Sequence, residues 1–177
     1  RNIALVGQSG AGKTLLAERL LLATGTFDRM GSIEDGTTFS DWSDEEKHHK
    51  HSLRTSMLHF DHEGHMVNMI DTPGLADFSG MAISVFPAVE TVCVVINAHD
   101  GIAPMTRRMM NIAKQRNLPR MIIINKIDDD GADLESLTSQ IKEEFGSECL
   151  PINLPTPDRS ASISVFDDEG SGDTLFS

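Results

Sequence analysis

The sequence predicts an α/β domain in which a mostly parallel sheet is covered by helices on both faces. Short apolar runs, typical of buried strands, alternate along the chain with longer stretches of helical periodicity. Several of these runs end in glycine-rich or polar segments, as expected where parallel strands meet a ligand at their carboxyl ends. The 177 residues, 39% apolar and 24% charged, suffice for one principal core.

The predicted elements follow this alternation in chain order. Strands are expected at residues 3–6, 56–60, 66–70, 92–97 and 121–125, and helices at residues 15–23, 104–116 and 134–145. The segment 56–70 is typical of an antiparallel edge hairpin, turned through Asp61-His62-Glu63-Gly64. The first helix is expected to end at Thr24 and Gly25, because glycine adopts the left-handed conformation that closes a helix.

The domain organisation is predicted from the shifts in composition. Residues 1–150 are expected to form the main domain, and residues 151–177 the truncated start of an inserted subdomain with a β-like run at 162–166. The chain begins with Arg1 at the edge of a predicted strand, which indicates a piece of a longer protein. The polar segment 31–54 has no apolar period, and connections of that length are usually functional or disordered.

The charge balance limits the classes of partner. The chain has 15 Lys and Arg against 27 Asp and Glu, and its net charge of -12 argues against a broad basic face that binds nucleic acid. Two cysteines give no disulfide pattern and suit a reducing compartment. We therefore expect a cytoplasmic monomer that neither binds a membrane nor contacts nucleic acid directly through these residues.

A phosphate-binding loop is the first functional motif, because the chain fits Gly-x-x-x-x-Gly-Lys-Ser/Thr between the first strand and the first helix. Phosphate is expected where the loop amides and the positive end of the helix converge. The Lys13 ammonium would reach the β- and γ-phosphates, and the Thr14 hydroxyl would ligate Mg²⁺. The residues predicted to line this loop are Gly7, Gln8, Ser9, Gly10, Ala11, Gly12, Lys13, Thr14 and Leu15.

The second motif is Asp71-Thr72-Pro73-Gly74, directly after a predicted strand. In a nucleotide-binding sheet, Asp71 can hold magnesium through water and the Gly74 amide can bond the γ-phosphate. Alone, the motif would indicate only a Pro-Gly turn. Its distance from the phosphate loop favours the functional interpretation, with Lys13 and Gly74 as candidate catalytic groups.

The third motif, Asn125-Lys126-Ile127-Asp128, follows the predicted strand 121–125. The Asn125 amide can pair with the edge of guanine, the Asp128 carboxylate can accept two bonds from its ring N–H and amino group, and the Lys126 stem can lie over the base. Adenine presents the wrong groups to that carboxylate, and such sites discriminate by about 10⁴ or more. The predicted ligands are therefore GTP or GDP with Mg²⁺.

Together these motifs resemble those of the translational GTPases, and more narrowly the P-loop NTPase G domain of elongation factor G. The resemblance also includes residues 36–42 and Ala76-Asp77-Phe78, and extends to the acidic tail. Release factor 3 and the ribosomal protection proteins share much of the pattern and remain alternatives. The resemblance implies GTP hydrolysis coupled to a translocation-type step, with the ribosome as the partner of the full-length protein.

Two departures from the family pattern affect the expected chemistry. The first switch of the family carries Arg-Gly-Ile-Thr, but this chain has His49-Lys50-His51-Ser52, so Ser52 is the candidate for the remaining magnesium ligand. The family's water-positioning histidine is replaced by Leu75, and losing such a group commonly costs about 10² to 10⁴ in rate. In the family, a Ser-Ala-x loop that helps to hold guanine lies after an inserted subdomain and is missing from these residues, so we expect this fragment to bind nucleotide more weakly than the whole protein.

Three functions are therefore compared. The first is a GTPase with slow hydrolysis, and the second is a GTP-dependent ribosome-binding module with negligible hydrolysis. An ATP-dependent P-loop enzyme is the third and would require equal competition by ATP.

The histidines at 48, 49 and 51 are better explained as a polar surface than as a zinc site. Met105, Met109 and Met110 are expected to fill the core rather than form a partner-facing patch.

Overall fold

The central sheet is the frame on which the predicted motifs are placed. The computed structural model describes residues 1–29, 31 and 54–166. Its main sheet consists, over those ranges, of β1 (Asn2–Val6), β2 (Ser56–His62), β3 (His65–Asp71), β4 (Thr91–Asn97) and β5 (Arg120–Asn125). The order is β2-β3-β1-β4-β5, and every neighbouring pair is parallel except β2 with β3. The predicted mainly parallel sheet and its antiparallel edge hairpin are confirmed.

The helices differ from their predicted limits in small ways. They are α1 (Lys13–Ala23), α2 (Ser79–Ser84), α3 (Pro104–Gln115) and α4 (Leu134–Phe145), with 3₁₀ turns at Ala76–Phe78 and Phe86–Ala88. The first helix begins two residues before its predicted start and ends as predicted, with Thr24 as its C-cap and Gly25 left-handed at φ 69°. No counterpart of α2 was predicted, because six residues are too few for helical periodicity. Among the described helices, none is long and apolar enough to cross a bilayer.

One face of the sheet packs against α1. Leu5, Met69, Cys93 and Val95 are buried there with Leu21 of the helix. These strand residues come from β1, β3 and β4, so the helix covers the centre of the sheet. This packing fixes the start of α1 next to the carboxyl ends of β1 and β3.

The opposite face is also covered. Val92, Val94 and Ile96 alternate with the residues facing α1 and are fully buried. The helix α3 contacts β4 and β5 and buries Met109 and Met110. Met105 is buried as well, so the predicted core role of these methionines is confirmed, as are helices on both faces.

The chain divides into two compact units, and the elements above except α4 belong to the first, Arg1–Asn97 with Ala103–Asn125. The second contains Ala98–Ile102 and the chain from Lys126 onward, with α4 and a two-stranded hairpin of β6 (Asn153–Pro155) and β7 (Ser162–Ser164). The predicted β-like run includes β7, whereas β6 was not predicted because it is short and contains a proline. The predicted boundary after residue 150 stays a prediction.

The buried Cys93 thiol yields a test of this packing. Burial raises its pKa from 9.0 to about 11. At about pH 8, this reduces the reactive thiolate about a hundredfold relative to an unshifted cysteine. In a Cys149→Ser variant, where Cys93 is the remaining cysteine, we expect iodoacetamide to label the native protein far more slowly than the urea-unfolded protein, as measured by mass spectrometry. Equal labelling rates would contradict the buried position of Cys93.

Candidate nucleotide-binding site

The phosphate loop leaves the sheet in close contact with β4. Gly7 follows β1 with a φ of 142°, and a Cβ atom at this position would overlap the carbonyl oxygen of Val95. Both the conformation and the lack of space require glycine. The path of the loop is therefore fixed at Gly7, where the chain leaves β1.

Lys13 is held over this loop by its own side-chain bonds. Its Nζ donates to the carbonyl oxygens of Gly7 at 3.1 Å and Gln8 at 2.9 Å. Burial lowers the pKa of the Lys13 ammonium below its usual value, and the charge of Asp71 opposes that shift. Since an ammonium has three donors, two bonds to the loop leave a third N–H for a phosphate oxygen.

Two of the three predicted metal ligands lie side by side. The Thr14 hydroxyl donates to Oδ2 of Asp71 at 2.7 Å, and both residues are buried. Hydroxyl and carboxylate oxygens are the donors that Mg²⁺ prefers, so the residues present fit this ion. The third candidate, Ser52, lies outside the described residues, as do His48, His49 and His51.

The Asp71–Gly74 loop is anchored at both ends. The buried Thr72 hydroxyl donates to the carbonyl oxygen of Leu5 at 2.7 Å. At the other end, the Ser9 N–H donates to the carbonyl oxygen of Gly74 at 2.9 Å. A Cβ at Gly74 would lie 2.5 Å from Nζ of Lys13, so the two candidate catalytic residues are brought together. The anchoring role of Thr72 was not predicted, because a hydroxyl at a strand end is a weak signal.

Leu75 follows this loop directly. It is half-buried and extended, and its carbonyl oxygen accepts the Phe78 N–H at the start of the following 3₁₀ turn. Its aliphatic side chain offers neither a proton acceptor nor a hydrogen-bond donor. Any group that orients a hydrolytic water must therefore come from elsewhere.

The third motif is divided between the two units. Asn125 ends β5, and its Nδ2 donates to the carbonyl oxygen of Ala11 at 2.9 Å, which ties the third motif to the phosphate loop. An amide nitrogen carries two hydrogens, so one remains for a base acceptor. Lys126 and Asp128 belong to the second unit, where both are exposed.

Glu18 is a residue of this region that was not predicted. It lies in α1, is 1% exposed, and accepts a hydrogen bond from the Gly31 amide at 3.0 Å. Glutamate is rarely buried without a partner, and this bond satisfies the carboxylate. Glu18 thus holds the start of the polar segment against the helix that carries Lys13 and Thr14.

Two further residues of the predicted loop lie at the start of α1. Gly12 is its N-cap, with a left-handed backbone at φ 88°, and Leu15 is half-buried in its first turn.

The first strand of a mainly parallel sheet leads through a glycine-constrained loop into a helix that begins with a buried lysine and threonine, and the threonine contacts an aspartate at the end of a neighbouring strand. These features define a P-loop nucleotide-binding domain. The profile of the elongation factor Tu GTP binding domain matches residues 1–171. The chain belongs to this family.

Individual relatives are similar over nearly the whole chain. Peptide chain release factor 3 of Microcystis aeruginosa is 33% identical over 171 residues, which are 94% of this chain and 31% of the relative. An elongation factor G-like protein of Mycobacterium tuberculosis is 35% identical over 158 residues, which are 89% of this chain and 22% of the relative. A crystal structure of a Thermus thermophilus protein superimposes with a TM-score of 0.83 at 37% identity, covering 88% of this chain and 23% of that one. The chain therefore spans less than a third of these proteins.

The constraint at Gly7 can be tested against a matched glycine in the same loop. Gly7→Ala is expected to lower the free energy of unfolding by about 3 kcal/mol or more, because strain and overlap with Val95 combine. Gly10 also has a positive φ, 79°, but a Cβ there meets nothing within 4 Å. Gly10→Ala should therefore cost only about 1 kcal/mol. Urea unfolding of both variants measures the difference, and equal losses would contradict the close approach.

Proposed function

We propose that this chain is the GTP-binding switch domain of an elongation-factor-G-like translation factor with slow hydrolysis. The observation that carries the proposal is the contact of the Asp71–Gly74 loop with the phosphate loop, through the Ser9–Gly74 and Thr14–Asp71 hydrogen bonds. A γ-phosphate bound beside Lys13 would compete with Gly74 for this space. The position of the loop would then depend on whether the nucleotide is a diphosphate or a triphosphate.

The contacts around the phosphate loop support the proposed phosphate and metal roles. The loop residues Gly7 to Leu15 would hold the phosphates, and Lys13 would stabilise charge on the β- and γ-oxygens. Thr14, Asp71 and the predicted ligand Ser52 would hold magnesium. When bound, magnesium would neutralise negative charge on the phosphate oxygens.

Guanine recognition is proposed for the third motif. The remaining N–H of the Asn125 amide would donate to a base acceptor, and the Asp128 carboxylate would accept from the ring N–H and the amino group. The exposed Lys126 would cover the base with its stem. The family to which the chain belongs is described as GTP-binding, which supports guanine rather than adenine.

Hydrolysis is proposed to be slow because Leu75 follows Gly74. A water that attacks the γ-phosphate would find no acceptor at this side chain, so intrinsic cleavage would depend on charge stabilisation alone. The same residue favours a second candidate, a GTP-dependent ribosome-binding module that cycles by association and release. The two candidates differ only in the rate of the chemical step.

The cellular setting is proposed from the relatives. Their names, elongation factor G-like protein and peptide chain release factor 3, support a translation factor that acts with the ribosome in the cytoplasm. We propose a translocation-type step, and a release-factor-3-like role, which shares these motifs, stays the alternative. A monomer is proposed for the protein in solution.

Base specificity is tested by titrating the intact protein with GDP, a non-hydrolysable GTP analogue and ADP in a calorimeter. We expect GDP to bind at least about a thousandfold more tightly than ADP, because adenine leaves the Asp128 carboxylate unpaired. Asp128→Asn should weaken GDP binding and strengthen binding of xanthosine diphosphate, since the amide donates where the carboxylate accepted. Equal affinity for ADP and GDP would refute the proposed base site.

The hydrolytic step is tested by single-turnover GTP cleavage with and without ribosomes. Leu75→His is expected to raise the rate about 10² to 10⁴-fold, because it supplies a group that orients water. Leu75→Asn, a matched control of similar size, offers hydrogen bonds without a basic nitrogen and should gain much less. A negligible wild-type rate that histidine restores would support the binding module, whereas fast wild-type cleavage would contradict slow hydrolysis.

A further inference from the structure

An arginine outside the predicted motifs lies at the tip of the β6–β7 hairpin. Arg159 is half-buried and has a left-handed backbone with φ 58°. Its N–H donates to the carbonyl oxygen of Thr156 at 2.8 Å, which closes a turn within the connection between the two strands. This turn sets the position of Arg159, a residue that belongs to none of the predicted motifs.

The guanidinium binds the loop that carries the proposed base-recognition residues. Its Nη1 donates to the carbonyl oxygens of Ile127 at 3.3 Å and Asp129 at 3.1 Å, and its Nη2 donates to the carbonyl oxygen of Ala132 at 2.9 Å. All these groups belong to the second unit. The two bonds from Nη1 go to the residues on either side of Asp128, so the arginine fixes the backbone around that carboxylate.

The loop also makes hydrogen bonds of its own: the Asp129 N–H donates to the carbonyl oxygen of Lys126 at 3.3 Å, the Ala132 N–H to the carbonyl oxygen of Asp129 at 3.0 Å, and the Gly131 N–H to the Asp129 carboxylate at 3.0 Å. Lys126 adopts φ 58°, a left-handed conformation that costs a non-glycine residue free energy. Three consecutive carboxylates, at positions 128, 129 and 130, repel one another. Arg159 adds a positive charge to this loop, and its planar fork binds several carbonyl groups at once.

The hairpin turn is itself well ordered by hydrogen bonds. The Asp158 carboxylate accepts from the Thr156 hydroxyl at 2.6 Å, from the Ser160 hydroxyl at 2.8 Å and from the Ser160 N–H at 3.2 Å. These bonds hold the pKa of Asp158 at about 2. At neutral pH the Asp158 carboxylate is therefore charged, and its bonds stabilise the turn that contains Arg159.

We infer that Arg159 is a positioning residue for base selection: by binding the carbonyl groups of Ile127, Asp129 and Ala132, it orients Asp128 toward the N–H groups of guanine. This role rests on the proposed function, since Asp128 is the proposed contact to the base. The β6–β7 hairpin, rather than the Asn-Lys-x-Asp motif alone, then determines how strongly the protein distinguishes guanine from related bases.

Inosine diphosphate is the probe for this role. Hypoxanthine keeps the ring N–H and carbonyl of guanine but lacks the amino group, so it loses one of the two bonds proposed for Asp128. The ratio of the IDP to the GDP dissociation constant reports that bond alone, because the phosphates and ribose are identical. We expect a ratio of about ten or more for the wild-type protein.

The experiment measures both dissociation constants for the intact wild-type protein, Arg159→Ala, Arg159→Lys and Arg108→Ala. Arg159→Ala should reduce the ratio to near one. Arg159→Lys keeps the charge but has one nitrogen in place of the fork, so its ratio should also fall. Arg108 is exposed on α3 in the first unit, and its removal should leave the ratio unchanged.

A merely structural role for Arg159 would lower the melting temperature and weaken GDP and IDP equally. A wild-type ratio in Arg159→Ala would therefore overturn the inference, whatever the melting temperature. If Arg159→Ala does not fold, the same ratio is measured for Arg159→Lys, and a ratio equal to that of the wild type would again overturn the inference. If the wild-type protein itself binds GDP no better than IDP, the proposed contact of Asp128 with the base fails instead.

Discussion

A buried hydrogen bond between the Thr14 hydroxyl and the Asp71 carboxylate joins the two motifs that phosphate chemistry requires. It forms because β1 and β3 are parallel neighbours in which Leu5 pairs with Asp71, so the phosphate loop and the aspartate leave the same edge of the sheet. Thr72 and Ser9 reinforce this junction with bonds of their own. The site is thus a product of sheet topology, which brings these side chains together at one end of the sheet.

The proposed ligand is an anion, although the protein itself is acidic. The chain carries a net charge of -12, yet the candidate phosphate loop holds the buried cation of Lys13. Attraction for the proposed phosphate ligand would therefore depend on local dipoles and one desolvated cation rather than on the overall field. The cost of burying Lys13, seen in its lowered pKa, would be offset when phosphate binds.

Much of the fold could be predicted because strands of a parallel sheet are nearly continuous apolar runs and the phosphate loop has strict spacing. What could not be predicted depends on contacts between distant residues. From the sequence alone, Glu18 would be placed on the exposed side of its helix, but it is buried and accepts a hydrogen bond from the Gly31 amide. Arg159 lies in a stretch without periodicity, and its importance comes from carbonyl groups about thirty residues away. The roles of the motif residues and of Ser52 stay predictions.

The register of the edge hairpin links the metal candidate to the polar segment. Asp71 is paired with Ser56, the first residue of β2, and the polar segment 31–54 ends just before this strand. The two residues share a ladder position, so the point at which the chain enters the sheet after the polar segment is directly opposite the candidate metal ligand.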